Sequence, residues 1–443
     1  MGNLRTPEKI QKLRLALYAK AKGEPEFRFY RLYDKVYRED ILDYAFMCCR
    51  SNKGAPGVDG MTFEDIEAYG REKWLGELAS ELRDRIYKPG AIRRVFIPKP
   101  NGKQRPLGIP NLKDRVCQTA AMIVLEPIFE ADLPPEQYAY RSGKNALEAV
   151  VEVHNLLNHG HPDVVDADLS GYFDTIPHAE LMKSVSRRIV DKHILKLIKM
   201  WLEAPVEEDD GDGRRKRTTR NKDDRLGIPQ GSPISPLLAN LYMRRFIVGW
   251  KKFGYEERLG AKIVNYADDL VICCRQGKAE MAMSGLRRIM ALLKLTVNEE
   301  KTRICRIPEE SFDFLGYTFG RLYSYKRRKS YIGNKPSKKS IKQIIEIIHV
   351  QTESNKVWME AGEMVRRINR KLKGWANYFK LGAVGKSYRQ IDRYVSDRLC
   401  RWVCRKHKEK GKGKKRYPYG LLYDKLGLIK LSSIPQTFPW AKA

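Results

Sequence analysis

The sequence predicts an α+β protein of about three domains, because domains run to roughly 150 residues each and this chain has 443. Two observations carry the class. Short β-rich runs at 92–110, 163–169, 262–274 and 314–320 are set among longer stretches whose apolar residues recur every three or four positions. Hydrophobic residues make up 42% and charged residues 31%, which suits buried cores and excludes an intrinsically disordered chain. No apolar run nears the roughly 18 residues of a bilayer span, so no membrane partner is expected. The first twenty residues lack the apolar core of a secretory signal, which points to the synthesising side of the membrane. Eight cysteines are ordinary usage at this length, and the adjacent pairs Cys48-Cys49 and Cys273-Cys274 read as core thiols.

Taken in order, residues 1–50 read as helices and 52–60 as a Gly/Pro-rich loop. IRRVFIPKPNGKQRPLGIP, 92–110, reads as a hairpin turning at Asn101-Gly102, a dipeptide that accepts the positive φ angles of a tight turn. Helical pattern follows from Asn111 to about Glu130 and again after Gly143. DVVDADL, 163–169, is a strand that runs into GYFDTIPH. Residues 207–224, EEDDGDGRRKRTTRNKDD, hold almost nothing but charge and Gly, and are expected to be a solvated or disordered loop, with ordering on RNA left open by the sequence. A rigid turn over 227–236 leads into a helix from about Leu237. KIVNYADDLVICC, 262–274, reads as two strands flanking a turn, and FLGYTFG, 314–320, as one short strand. Helices are expected over roughly 337–350, 359–381 and 386–406.

The charge is large and uneven. Lys and Arg number 85 against 54 Asp and Glu, a net charge of +31. Residues 321–443 hold 32 basic and 8 acidic residues, so about a quarter of the chain carries most of the excess. Interleaved with Tyr323, Tyr325, Tyr331, Trp375, Tyr378, Phe379 and Trp402, this reads as a surface for a polyanion, nucleic acid first.

Of three Asp-Asp pairs, those at 209–210 and 223–224 sit in the charged loop. Asp268-Asp269 is different, because Ile263, Val264, Tyr266, Leu270, Val271, Ile272, Cys273 and Cys274 flank it. Adjacent carboxylates in buried surroundings repel and lose hydration, and a bound divalent cation relieves both costs. Asp166 and Asp168 end another apolar run, and alternation puts both on one strand face. Two strands that each deliver carboxylate at a turn can hold two Mg²⁺ ions about 3.5–4 Å apart. Hard oxygen ligands suit Mg²⁺.

These residues carry a resemblance. Tyr266-Ala267-Asp268-Asp269 resembles the YxDD signature of reverse transcriptases, and Asp168-Leu-Ser-Gly-Tyr-Phe-Asp-Thr-Ile-Pro-His178 resembles their first catalytic motif. Residues 96–110, 227–240, 295–302 and 314–316 match further blocks in the same order, most closely those of group II intron-encoded reverse transcriptase/maturases. Residues 362–380 resemble the maturase, or thumb, domain of that family, and the ending SIPQTFPWAKA resembles its C-terminal region. The resemblance implies a right-hand polymerase: fingers and palm with an antiparallel palm sheet flanked by helices, a helical thumb/maturase domain and a small basic C-terminal DNA-binding region.

Carried over residue by residue, Asp168, Asp268 and Asp269 are expected to be catalytic metal ligands for two Mg²⁺ ions, with the Leu169 carbonyl as a further ligand. Lys99 and Arg105 match finger residues that clamp the triphosphate of an incoming dNTP. Phe173 matches a steric gate against the 2′-hydroxyl, and Gln230 lines the nucleotide pocket. Lys301, Phe314, Leu315 and Gly316 match primer and template supports. Arg366, Arg367, Lys371, Lys373, Lys412, Lys414, Lys415 and Arg416 are the expected RNA- and DNA-binding cations. His178 is expected to be structural.

The implied domains are an N-terminal helical extension (1–50), fingers and palm (51–320), thumb/maturase (321–394) and a basic DNA-binding region (395–443). The implied activity is RNA-directed DNA synthesis on intron RNA, with assistance to splicing. Its partners are group II intron RNA and a DNA target or primer, in a ribonucleoprotein whose protein is a monomer or a dimer, in the bacterial cytoplasm and on the nucleoid when bound to DNA. No C-terminal endonuclease domain is expected. The alternatives are a host-domesticated relative in defence or repair, and a splicing cofactor with an inactive polymerase.

Overall fold

The computed structural model describes residues 4–98, 104–209, 215–325, 327–409, 417–435 and 437–438. The chain divides into two units, one of residues 1–144, 168–255 and 284–300, the other of 145–167, 256–283 and 301–443.

In the first unit the helix Leu112–Glu130 is buried on nearly every side, as expected of a helix whose apolar residues leave no polar stripe. The helices Glu8–Gly23 and Glu39–Ser51 pack against it. Its first turn anchors the chain entering the sheet. The Asp114 carboxylate accepts from the Tyr87 hydroxyl at 2.6 Å and from the Gly90 amide at 3.0 Å, and Trp201 Nε1 donates to the Tyr87 oxygen at 3.1 Å. Two residues past Gly90, strand β1 (Ile92–Pro98) begins; it pairs antiparallel with β2 (Gln104–Ile109). The expected hairpin arms are therefore present, while the Asn101-Gly102 turn lies outside the described residues.

The segment 207–224 differs from expectation. It forms strands β4 (Val206–Asp209) and β5 (Arg215–Thr218) and a short helix, Arg220–Asp224. The sheet order is β2-β1-β4-β5, with β4 parallel to β1. Two physical features replace the missing apolar pattern. Val206 buries beside Ile92 and Ala204, and the acids of β4 face bases of β5 in the register Glu207↔Arg217 and Glu208↔Lys216. Opposite charges across a strand pair stabilise it where like charges would not.

The second unit contains β3 (Asp163–Asp168), though its last residue, Asp168, is counted with the first unit, together with β6 (Lys262–Tyr266), β7 (Asp269–Cys274) and β8 (Arg303–Arg306) in the order β6-β7-β3-β8. Strand β7 is buried from Leu270 to Cys274, both cysteines included. A second sheet has the order β11-β10-β9, made of β9 (Phe312–Phe314), β10 (Tyr317–Ser324) and β11 (Lys329–Pro336). The single strand expected over 314–320 is thus two strands, broken at Leu315-Gly316, where both residues have positive φ (49° and 79°).

Helices Lys338–Gln351, Ala361–Tyr378 and Gly385–Lys406 follow close to the expected ranges. Ala361–Tyr378 buries Met364, Val365, Ile368, Leu372 and Ala376 and turns its basic residues outward. The expected start of a separate basic region at 395 falls inside the helix Gly385–Lys406. Val395, Leu399, Trp402, Leu422, Leu428 and Leu431 share one core with Ile344, Met364 and Ile368. The Asp392 carboxylate also accepts from the amides of Leu431 and Ser432 at 2.8 and 2.9 Å. Apolar packing, not the surface charge, decides the boundary. Among the described residues no helix is long and apolar enough to cross a membrane.

Burial raises the Asp114 carboxyl to about 6, outweighing the hydrogen bonds from Tyr87 and Gly90 that pull it down. A carboxyl whose folded pKa exceeds its unfolded value stabilises the fold at low pH, and that contribution is lost as pH rises from about 4 to about 6. Asp114→Asn carries no such charge, so its melting temperature relative to the unsubstituted protein should rise by several degrees between pH 4.5 and pH 7, measured by thermal unfolding. A pH-independent difference would mean that Asp114 is not buried as a carboxylic acid.

Candidate active site

The β6–β7 hairpin turns at Ala267 and Asp268, with Tyr266 paired to Asp269 at its mouth. Ala267 takes a positive φ of 58°, a conformation that costs an L-residue about 1–2 kcal/mol. The turn is held from beneath by Asn265, which is buried and donates through Nδ2 to the carbonyls of Ala267 (2.9 Å) and Asp269 (3.3 Å). Asp268 is half-buried and Asp269 exposed, although the strands behind them are sealed. The carboxylates therefore sit where the sheet meets solvent.

Asp168 ends β3, whose neighbour in the sheet is β7, the strand that begins at Asp269. Asp168 is half-buried, and its Oδ2 accepts from Asn298 Nδ2 at 3.1 Å, while its carbonyl accepts from the Asn298 amide at 2.9 Å. Leu169 continues this pairing in a bridge to Val297. Asp166, on the same strand, lies 3.6 Å from the Arg303 guanidinium. Among the described residues no set of three or more His, Cys, Asp or Glu side chains converges as a metal cluster. The donors themselves, partly exposed carboxylates, are of the hard oxygen type that Mg²⁺ takes.

A second group of expected residues meets in the first unit. Gln230 Oε1 accepts from Arg105 Nε at 3.1 Å, and its Nε2 donates to the Asp174 carboxylate at 3.2 and 3.4 Å. These two bonds fix which end of the amide faces which partner. The Gln230 loop is clasped on both sides: the Gly108 amide of β2 donates to the Gln230 carbonyl at 2.6 Å, and the Ile228 amide donates to the Phe173 carbonyl at 2.7 Å. Gly231, at φ 109°, permits the clasp, since a Cβ there would lie 2.5 Å from the Gly108 carbonyl. His178 is buried, and its Nε2 donates to the Gly227 carbonyl at 2.7 Å, consistent with a structural part. A cleft of about 680 Å³ opens here, lined among others by Arg94, Asp174, Lys216, Arg220 and Gln230. Phe173 is buried and is not among its lining residues.

Phe314, Leu315 and Gly316 dock under the helices of the second unit. The Gly316 carbonyl accepts from the Ser337 amide and the Ser340 hydroxyl, both at 2.9 Å, and the Leu315 carbonyl accepts from the Tyr378 hydroxyl at 2.9 Å. Burial, with Tyr266 and Asp269 close by, raises the Tyr378 phenol to about 12. Lys301 is an exposed turn residue. Of the expected nucleic-acid cations, Lys371 and Lys373 are exposed, while Arg366 and Arg367 both bond Glu363, at 3.1 and 2.8 Å. Lys99, Lys412, Lys414, Lys415 and Arg416 lie outside the described residues. Asn265, Asn298, Asp174 and Tyr378 were not anticipated as site residues. Three of the four lie inside motifs that the sequence displays, and that location was the available signal.

The reverse transcriptase (RNA-dependent DNA polymerase) family pattern matches residues 97–319, and the group II intron maturase-specific domain pattern matches residues 339–420. Protein YkfC of Escherichia coli is 31% identical over 367 residues, 75% of this chain and 93% of its own length. The group II intron-encoded protein LtrA of Lactococcus lactis is 32% identical over 216 residues, 48% of this chain and 34% of its own. The mitochondrial nuclear intron maturase 2 of Arabidopsis thaliana is 32% identical over 111 residues, 25% of this chain and 15% of its own length. This chain thus spans nearly all of the first relative and a third or less of the other two.

Asp174→Ala removes the acceptor that orients Gln230. One such bond is worth about 0.5–1.5 kcal/mol, so the KM for dNTP should rise about two- to tenfold with kcat little changed. Asp174→Asn keeps an acceptor and should stay near the unsubstituted value. Equal losses in both variants would show that Asp174 does not act through Gln230.

Proposed function

The chain belongs to the reverse transcriptase (RNA-dependent DNA polymerase) family and carries a group II intron maturase-specific domain; from that premise we propose that it copies intron RNA into cDNA by two-metal nucleotidyl transfer and binds the same RNA to assist its splicing. The observation that carries the polymerase reading is the adjacency of β3, which ends in Asp168, to β7, which begins at Asp269. In this reading Asp168, Asp268, Asp269 and the Leu169 carbonyl hold the ions. A bound Mg²⁺ pair lowers the pKa of a primer 3′-hydroxyl and neutralises the departing pyrophosphate. Asn298 orients the Asp168 carboxylate, and Asn265 fixes the turn that presents Asp268.

Arg105 and Lys99 contact the triphosphate of the incoming dNTP, Arg105 through a planar guanidinium suited to bidentate phosphate contact. Gln230 holds Arg105 in place, and Phe173 excludes a 2′-hydroxyl from the sugar site. Lys301 and the Phe314-Leu315-Gly316 turn support the primer. In this reading residues 51–320 supply the fingers and palm, and 321–394 the thumb. The basic face of Ala361–Tyr378 receives intron RNA mainly through backbone phosphates, as suits shape-based recognition of paired RNA. The pairs that Arg366 and Arg367 make with Glu363 are exposed, and exposed pairs are worth little, so phosphate can displace the carboxylate at small cost. Lys412, Lys414, Lys415 and Arg416 add charge toward a DNA target.

Two measurements separate the two activities. Asp268→Ala should abolish primer extension on an RNA template with Mg²⁺ and dNTPs while intron RNA binding is kept; activity surviving in the variant contradicts the ligand assignment. Lys371→Ala with Lys373→Ala should weaken intron RNA binding and lower the slope of log affinity against log salt by about one to two. An unchanged slope would remove this face from the RNA site.

A further inference from the structure

Strands β10 and β11 form a two-stranded extension whose far end leaves the core. Tyr317 and Phe319 are buried near its root, whereas Arg321, Tyr323 and Tyr325 are exposed. Residues two apart on a strand share a face and lie about 7 Å apart along it, so Arg321 and Tyr323 form a row that Tyr325, in the turn one residue past the strand, continues by ring contact with Tyr323. Tyr323 is 53% and Tyr325 87% exposed. Their rings meet edge to face at 5.1 Å between centroids.

The row does not serve to hold the hairpin together. Rings that stabilise a ladder sit opposite each other on partner strands, but here both belong to one side, and Tyr323 faces Ser330 across the ladder. Tyr331 does pack: it shares the other face with its cross-strand partner Leu322, where a Cβ on Gly333 would run into both. Two tyrosines are thus left with open ring faces while a third is used for packing.

The charge around the row has one sign. Residues 321–335 contain Arg321, Lys326, Arg327, Arg328, Lys329 and Lys335 and no acid. Among the described residues, Arg321, Arg327, Arg328 and Lys329 form no ion pair, unlike Arg366 and Arg367 farther along. Open aromatic faces beside unopposed cations are what an unpaired nucleic-acid strand requires: bases stack on the rings, and phosphates meet the cations.

We infer that the outer end of the β10–β11 hairpin is a stacking track for single-stranded nucleic acid, with Tyr323 and Tyr325 as the base platforms and Arg321, Arg327 and Arg328 as phosphate contacts. This deepens the nucleic-acid reading proposed above and adds to it a strand-binding site separate from the residues assigned to chemistry. Because a ring reads the face of a base and not its sugar, RNA and DNA strands are both taken.

The test uses the full chain and 12-nucleotide oligo(U), oligo(dT) and a duplex of equal length, with binding followed by fluorescence anisotropy over a salt series. Stacking on an aromatic side chain is worth roughly 5- to 150-fold per base, so Tyr323→Leu with Tyr325→Leu should weaken both single strands about tenfold or more and leave the salt slope and duplex binding unchanged. Tyr323→Phe with Tyr325→Phe keeps the rings and should bind within about twofold of the unsubstituted protein. Arg321→Gln should lower the salt slope by about one. Ultraviolet cross-linking of 4-thiouridine oligonucleotide, mapped by mass spectrometry, should mark residues 321–331. Unchanged affinity in the leucine pair, an equal loss in the phenylalanine pair, or no cross-link within 321–331 would overturn the inference. Primer extension on a short annealed template, run in parallel, reads the polymerase proposal separately, so failure of one leaves the other standing.

Discussion

Two adjacent carboxylates at the edge of an apolar strand form the constraint on which the second unit depends. Leu270 to Cys274 are buried behind Asp269, and Ile263 to Asn265 behind Asp268. If the turn moved inward by one residue, the like charges would lose water and have no partner, a cost of several kcal/mol per ion. The chain accepts a strained φ at Ala267 and commits a fully buried amide, Asn265, to hold the turn at the sheet's rim. A rigid, partly hydrated carboxylate pair is what such a turn preserves.

The first unit solves a different problem, that of fixing a strand of a basic hairpin against a loop. Gln230 does so with both ends of its amide, and the backbone bonds from Gly108 and to Phe173 fix the loop on either side. Orientation here comes from hydrogen-bond polarity and not from packing, so small changes in side-chain chemistry there alter how Arg105 and Gln230 are held without disturbing the core. The strand pair β4–β5 extends the same sheet, with acids of one strand in register with bases of the other.

Much of the fold was legible because the relevant signals are local. Period-two alternation around 92–110 and 262–274 marked both hairpins, and the carboxylates at the turn of the second stood out against apolar flanks. The 207–224 segment was not legible, since composition shows how much charge there is but not which acid will face which base. The break at Leu315-Gly316 was hidden because FLGYTFG alternates well enough for one strand, and the turn is stabilised by Ser337, Ser340 and Tyr378 from distant sequence. Asn298 sat in a recognised motif and Asn265 one residue before another, yet a lone amide gives no sign of its partner until the fold supplies one. The last region misled for a similar reason: its basic surface masks Leu422, Leu428 and Leu431, which belong to the helical core.

Crystals of the protein with primer–template, a non-hydrolysable dNTP analogue and Mn²⁺ in place of Mg²⁺ test whether Asp168, Asp268 and Asp269 hold the ions. Two anomalous-scattering peaks are expected, both within coordinating distance of these three carboxylates and one also touching the Leu169 carbonyl. Peaks bound by other side chains, or a nucleotide seated with those carboxylates left out of its metal shell, would contradict that assignment.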